Sequence, residues 1–228
     1  MQLFPGWRKS DWVFCRMAPN PYAIPTLLIA PGIPQLLATY QNLESVVQPT
    51  ESYVLPSYVK IDLMTAARDT VYFLDKRQNS IMSYKSNLTK KIGSLPTNSC
   101  ISSISVDMIS STLYWTELHP PTMHVYHIPT AMSRVLYSHA NWSVSWPLDV
   151  ALCPFTGYMF VADGGATQKP ATIWRYNMDG SSTDDVIKVN NAGWLVRTSP
   201  DDVIIVNDAD WPSSVTVDYT ANRLYWAD

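Results

Sequence analysis

Charge, glycine and cysteine are all sparse in this chain of 228 residues. Charged side chains make up only 15% of it, whereas apolar ones reach 46%. That balance excludes wholesale disorder and allows a substantial buried core. The three cysteines are Cys15, Cys100 and Cys153. An odd number at these spacings is neither a disulfide framework nor a zinc-ligand set. No run of Lys and Arg appears and the net charge is −3, which argues against nucleic acid as a partner. Long apolar runs are missing too. The most apolar stretch, PTLLIAPGIPQLLATY, is short and broken by prolines, so this segment is expected to make no membrane contact. The opening, MQLFPGWRKSDW, lacks a charged n-region followed by an apolar h-region and does not read as a signal peptide. As written, the chain is expected neither to enter the secretory pathway nor to anchor itself.

Aromatic residues and proline are plentiful, with 13 Tyr, 9 Trp and 17 Pro against 8 Gly. Aromatic side chains suit a pleated, half-buried surface. The prolines fall mostly between apolar runs and argue for short elements over long helices.

A repeat organises these elements. Four segments end alike: TVYFLD (Thr70 to Asp75), TLYWTE (Thr112 to Glu117), YMFVAD (Tyr158 to Asp163) and RLYWAD (Arg223 to Asp228). A fainter relative, TLLIA, runs from Thr26 to Ala30. Aligned on Leu28, Tyr72, Tyr114, Phe160 and Tyr225, the steps are 44, 42, 46 and 65 residues. The first three match propeller blades of about 40–50 residues. Each signature follows a short strand-like run: YVKIDL at Asp62, ISSISVD ending at Asp107, PLDVALC ending at Cys153 and SSVTVD ending at Asp218. This spacing predicts strand, tight turn, strand. A second hairpin follows, clearest in ATIWRYNMDGSSTDDVIKV, where Asp179-Gly180 is a turn signal. Each repeat therefore reads as four antiparallel strands, arranged radially so that sheets cover one another.

The long step contains DDVIKVNNAGW from Asp184 and, 17 residues on, DDVIIVNDADW from Asp201, alike at eight of eleven positions. The region 184–211 reads either as a duplication or as a loop insertion, which propellers tolerate because closure entropy grows slowly with loop length.

LYWTE at Leu113 to Glu117 and LYWAD at Leu224 to Asp228, with WPLDVAL and WPSSVTVD before the inner strands and IWRYNMDGSS after the third signature, resemble the YWTD repeats of the low-density lipoprotein receptor family. CRMAPNPYAIPTLLIAPGIPQLL is similar to the last cysteine of an EGF-like module running into a degenerate first repeat. The resemblance spans Cys15 to Asp228. Departures are the missing tryptophan in YFLD and FVAD, Glu117 in place of the signature aspartate, and Cys153 in place of an inner-strand aspartate.

The resemblance implies residues 1–25 as the remnant of an EGF-like module ending after Cys15, and residues 26–228 as a partial propeller. The expected fold is all-β: a six-bladed YWTD β-propeller, incomplete, an open arc with roughly 17 of about 24 strands. On that count LYWAD has no third strand to pair with, as in a truncated product. It further implies a protein-binding module of an LDL-receptor-related endocytic receptor, within an extracellular ectodomain. Its partners are a lipoprotein-like ligand or neighbouring receptor modules, it needs no cofactor, and it contributes to acid-dependent release. Alternatives are a Wnt co-receptor or a nidogen-like matrix-binding propeller. From another class, the alternative is a metal-dependent, lactonase-like propeller hydrolase.

Among candidate site residues, the repeat carboxylates Asp62, Asp75, Asp107, Glu117, Asp163, Asp218 and Asp228, and the aromatics Tyr72, Tyr114, Trp115, Tyr225 and Trp226, read as structure. A residue recurring once per blade ties blades together, and a buried carboxylate must find donors. No Gly-x-Ser-x-Gly, His-Glu-x-x-His or phosphate loop occurs, and the chain is expected not to be an enzyme. Cys153 beside a histidine reads as a core cysteine before a dyad. Loops at one end, holding Glu117, His119, Trp146, Asp163 and Trp211, form the expected binding surface, since exposed tryptophans among polar groups mark hot spots; the competing reading packs each Trp between blades. His119, His124 and His127 are candidate pH sensors, because histidine titrates near pH ~6.5. Two sequons, at Asn87 and Asn141, fall in expected turns.

Overall fold

The computed structural model describes residues 12–16, 27–31, 36–40, 51–54, 61–166, 169, 171–181, 185–187, 196–197, 212–218 and 223–227. Among them, every regular element is a strand. The chain divides into two compact units, Met1–Thr97 and Asn98–Asp228.

The first unit holds two four-stranded antiparallel sheets. One runs β1 (Trp12–Arg16), β2 (Leu27–Pro31), β3 (Leu36–Tyr40), β4 (Glu51–Val54). The other runs β5 (Leu63–Ala67), β6 (Thr70–Asp75), β7 (Ser80–Lys85), β8 (Leu88–Ser94). Each strand pairs with its neighbour in sequence, the meander that short polar turns produce. The first sheet departs from expectation. Cys15 lies in β1 opposite Leu28, so part of the stretch assigned to residues 1–25 as an EGF-like remnant supplies a blade strand. WVFCR is a short apolar run, and a strand that pairs with β2 satisfies backbone groups that a linker would leave to water.

The second unit holds three sheets. Strands β9 (Ile101–Asp107), β10 (Thr112–Leu118), β11 (Pro121–His127) and β12 (Met132–Tyr137) form one; β13 (Pro147–Cys153), β14 (Tyr158–Asp163), β15 (Thr172–Asn177) and β16 (Asp185–Ile187) form the next. In the last, β18 (Ser214–Asp218) pairs with β19 (Arg223–Ala227), and β19 pairs in turn with β17 (Val196–Arg197). LYWAD is therefore not short of a third strand: Val196 lies opposite Leu224. A segment upstream in sequence takes that edge and accepts the ladder. Of the two similar segments in 184–211, the first contributes β16, and the second, 201–211, lies outside the described residues.

The signature falls on the second strand of its sheet in every case: TLLIA on β2, YFLD on β6, LYWTE on β10, FVAD on β14 and LYWAD on β19. This places the repeat in phase across all five sheets, and the fold is an all-β propeller type.

Strand alternation builds the core of the second unit. Val150, Leu152, Met159, Val161 and Tyr176 face a cluster with Tyr114, Met123, Val125 and Tyr137 of the preceding sheet. Their neighbours Ala151, Phe160, Ala162 and Ile173 face the opposite way, onto Val215 and Leu224. A period of two thus gives the sheet β13–β16 an apolar surface on both sides. Hydroxyls fasten the first seam. Tyr114 donates to the Met178 carbonyl at 3.1 Å, and Tyr137 donates to Asn177 O at 3.1 Å. The expected turn at Asp179-Gly180 is present, with Gly180 at φ +88°. A Cβ there would lie 2.8 Å from Leu136 Cδ1, so glycine is required twice over.

Candidate functional site

In the second unit, the signature strands end beside the starts of the inner strands. Glu117 pairs with Ile101, Asp163 with Pro147 and Ala227 with Ser214. The turns leaving those strands gather at this end.

Asp163 is 1% exposed and accepts four hydrogen bonds. Oδ1 takes Trp146 N at 2.7 Å and Gly165 N at 2.9 Å; Oδ2 takes Ser145 N at 3.0 Å and Trp174 Nε1 at 3.1 Å. With its lone pairs so occupied, the carboxylate shapes the loop and leaves Trp146 to present itself. Trp146 is 38% exposed. His119, exposed in the β10–β11 turn, meets it edge-on with ring centroids 5.3 Å apart at 86°. Of the five expected binding residues, His119 and Trp146 thus come together at the surface. Glu117 is buried, and Trp211 lies outside the described residues.

Glu117 belongs to a different group. Its Oε1 accepts Trp115 Nε1 at 3.3 Å and lies 3.4 Å from His124 Nε2. The Trp115 and His124 rings stack at 5.1 Å and 7°. Residues 115 and 117 share a strand face, and His124 sits opposite Trp115 in register, so the three meet by pleat geometry. Burial holds His124 below the ordinary imidazole range, with the Glu117 carboxylate pulling the other way.

The three histidines do not cluster. His119 precedes β11, His124 is in its middle, and His127 closes its far end, where Nδ1 contacts Thr130 Oγ1 at 2.8 Å.

The other repeat carboxylates serve backbone amides. Asp75 Oδ1 accepts Arg77 N at 3.0 Å, and Asp107 Oδ1 accepts Ile109 N at 2.7 Å, both turns in which a side chain mimics a main-chain acceptor. Asp62 Oδ2 accepts Lys76 N at 2.8 Å. Tyr72 is half-buried, as are Tyr225 and Trp226, and Trp115 is buried. The side chain of Asp218 and all of Asp228 lie outside the described residues. Cys153 is buried at the end of an inner strand, and Cys100 is exposed.

Asp149 was missed. Its Oδ1 accepts Val150 N at 2.9 Å and the Ser103 hydroxyl; its Oδ2 accepts Ser214 Oγ at 2.7 Å and Val215 N at 2.9 Å. One carboxylate therefore joins β9, β13 and β18. Burial pushes its carboxyl above the ordinary range, opposed by those donors. The signal lay in register: Ser103, Asp149 and Ser214 each sit opposite the residue just before the signature's terminal position, namely Thr116, Ala162 and Ala227. The residue sits inside the segment WPLDVAL, which was read only as flanking pattern.

Among the described residues, no group of three His, Cys, Asp or Glu is placed to hold a metal ion. Among the described residues, no helix is long and apolar enough to cross a membrane.

No protein-family model matches the chain. Solved structures do. A chain of the nidogen/laminin complex is similar at 13% identity, with a TM-score of 0.63 over 96% of this chain and 73% of that one. Virginiamycin B lyase from Staphylococcus aureus gives 16% identity and a TM-score of 0.61, over 96% of this chain and 64% of the lyase. Hydrazine synthase from Kuenenia stuttgartiensis gives 14% and 0.56, over 91% and 62%. This chain thus spans less than two thirds of either enzyme. These enzymes overturn the expectation that the chain is not one. That expectation rested on missing motifs, and the same sheet arrangement serves catalysts whose residues need not follow those motifs. At such identities, what the neighbours share with this chain is the β-propeller fold.

Proposed function

We propose that this chain is a protein-binding propeller module of an LDL-receptor-related endocytic receptor, working in an extracellular ectodomain. The observation that carries the reading is the exposed pair His119 and Trp146, an aromatic edge presented by two neighbouring sheets and set on a buried hydrogen-bonded base. An anchored tryptophan ringed by polar groups is the residue type that dominates binding energy at interfaces. The five in-phase signatures support the family.

A second reading, a nidogen-like matrix-binding propeller, is supported by the likeness to the nidogen/laminin complex. The two separate in one experiment. The purified chain is immobilised and offered low-density lipoprotein particles or laminin at about pH 7, then washed at about pH 5. The receptor reading expects capture of the particles, release in acid, and at least a tenfold loss of affinity in Trp146→Ala, equivalent to about 1.4 kcal/mol. Capture of laminin alone favours the matrix reading. Capture of neither sinks both.

A further inference from the structure

We propose that Asn87 and Asn141 are attachment sites for N-linked glycans, the one at Asn141 standing beside the His119–Trp146 surface. This rests on the proposed extracellular setting and adds a covalent modification to it. The sequence supplies Asn87-Leu-Thr and Asn141-Trp-Ser, a pattern that chance also produces. The geometry carries the inference further.

Both asparagines are exposed, and both are held the same way round. Asn87 occupies the two-residue turn between β7 and β8, at φ 63° after Ser86 at φ 49°. Its Oδ1 accepts the Tyr84 hydroxyl at 2.8 Å. Asn141 lies in the connection from β12 to β13, where its Oδ1 accepts Ser138 N at 2.8 Å and Ser138 Oγ at 3.0 Å. A main-chain amide can only donate, so the oxygen of Asn141 must face inward. In each case the carboxamide oxygen is anchored, so Nδ2 is the other arm of an exposed side chain. Nδ2 is the atom that carries the sugar.

The transfer balances without any redox partner. Nδ2 bonds to the anomeric carbon of an oligosaccharide carried on a lipid pyrophosphate. The bond from that carbon to the pyrophosphate oxygen breaks, Nδ2 loses one proton, and the lipid pyrophosphate leaves. The exporting cell's transferase performs this on the entering chain, and the folded structure accommodates the product at both places.

The surroundings fit a sugar as well. Leu88, next to Asn87, is 73% exposed, the most open of the large apolar residues described. The first sugar at Asn87 covers it. Tyr84 and Thr89 face each other across the same hairpin. Asn141 is five positions before Trp146, in the same connection, at the end of the sheet where β12 finishes. A glycan there borders the docking surface and restricts the directions from which a partner approaches.

The test is to express the full chain behind a secretion signal in a eukaryotic cell. Protease-protected and exported material is digested with peptide-N-glycosidase in heavy-oxygen water and read by mass spectrometry. Heavy aspartate at both positions is expected, with one glycan lost in N87Q or N141Q and both in the double variant. Lumenal chain with asparagine intact at either position overturns the proposal for that position, whether or not the chain is exported. Glycosylated chain that stays inside the cell upholds the glycans and counts against the extracellular reading instead. The readout on the unsubstituted chain does not depend on how the variants fold.

Discussion

The carboxylate of Asp163 holds the main chain of Trp146, accepting its amide at 2.7 Å and that of Ser145 at 3.0 Å. A buried acid on the signature strand thus fixes the posture of an exposed aromatic on the loop before β13. Asp163→Asn replaces two lone-pair-rich oxygens by one acceptor and a competing donor. A loss of about 1–3 kcal/mol of stability is expected, together with faster hydrogen exchange at the amides of Ser145, Trp146 and Gly165. Unchanged exchange at all three would remove Asp163 from this role.

His124 sets a pH dependence. Its folded pKa lies below the ordinary value because burial penalises the charged ring, with Glu117 offsetting part of that. The unfolded chain therefore takes up a proton first as pH falls through about 6.5. Stability is lost from there down to the folded pKa, and none of this loss occurs above about 6.5. His124→Gln should flatten urea midpoints measured between about pH 7.5 and about pH 5. Equal slopes for the two proteins would contradict the assignment.

Asp149 has the opposite sign. A carboxyl whose folded pKa is raised binds its proton more tightly when folded, so its ionisation costs stability above that pKa and the cost disappears on acidification. Asp149→Ala takes the acceptor from the Ser103 and Ser214 hydroxyls and from the Val215 amide, while Val150 N keeps Ser103 Oγ at 3.3 Å, and each orphaned buried group costs about 1–3 kcal/mol. Asp149→Ser supplies the side chain its two neighbours already carry. It should recover most of that loss while removing the pH dependence. Thermal midpoints across pH for the three proteins check this, and an Ala variant as stable as the parent defeats it.

Gly180→Ala combines two penalties, a left-handed φ of +88° and a Cβ 2.8 Å from Leu136 Cδ1. A cost of about 1–3 kcal/mol is expected. Adding Leu136→Ala should relieve the steric part and leave the backbone part, so a double-mutant cycle should show coupling. Strict additivity would mean that the leucine gives way freely.

Much of the architecture was readable because strand pairing follows a local code. The signatures, inner runs and the Asp179-Gly180 turn announced the meander, and all five signatures take the second position. WVFCR was not read as a strand because its four apolar residues carry no periodicity of their own, and Cys15 resembled the last cysteine of an EGF-like module. The site was less legible. His119 and Trp146 are 27 residues apart in sequence, and only neighbouring sheets bring them together. The same holds for Ser103, Asp149 and Ser214. Side-chain partnerships between sheets depend on how blades sit against each other, and no run of residues along one strand records that. His119, His124 and His127 show the converse: they are near in sequence, but His119 lies in the turn before β11 and the other two lie along the strand, where a rise of about 3.3 Å per residue keeps them apart.

The two-sided sheet β13–β16 has a consequence for tolerance of insertions and deletions. Residues 150, 152, 159 and 161 face one neighbouring sheet, and 151, 160 and 162 face the other. A strand in which one face meets water loses one seam when its register slips by a residue. In β13 or β14, a single-residue slip sends the bulky set toward the side built for alanine and the alanines toward the aromatic side. Both seams fail together, and Asp149 leaves the two serines it joins. Length changes should therefore be nearly lethal to the second unit in β13 and β14 and far milder beyond the exposed start of β12, where Met132 and Val135 already stand in solvent.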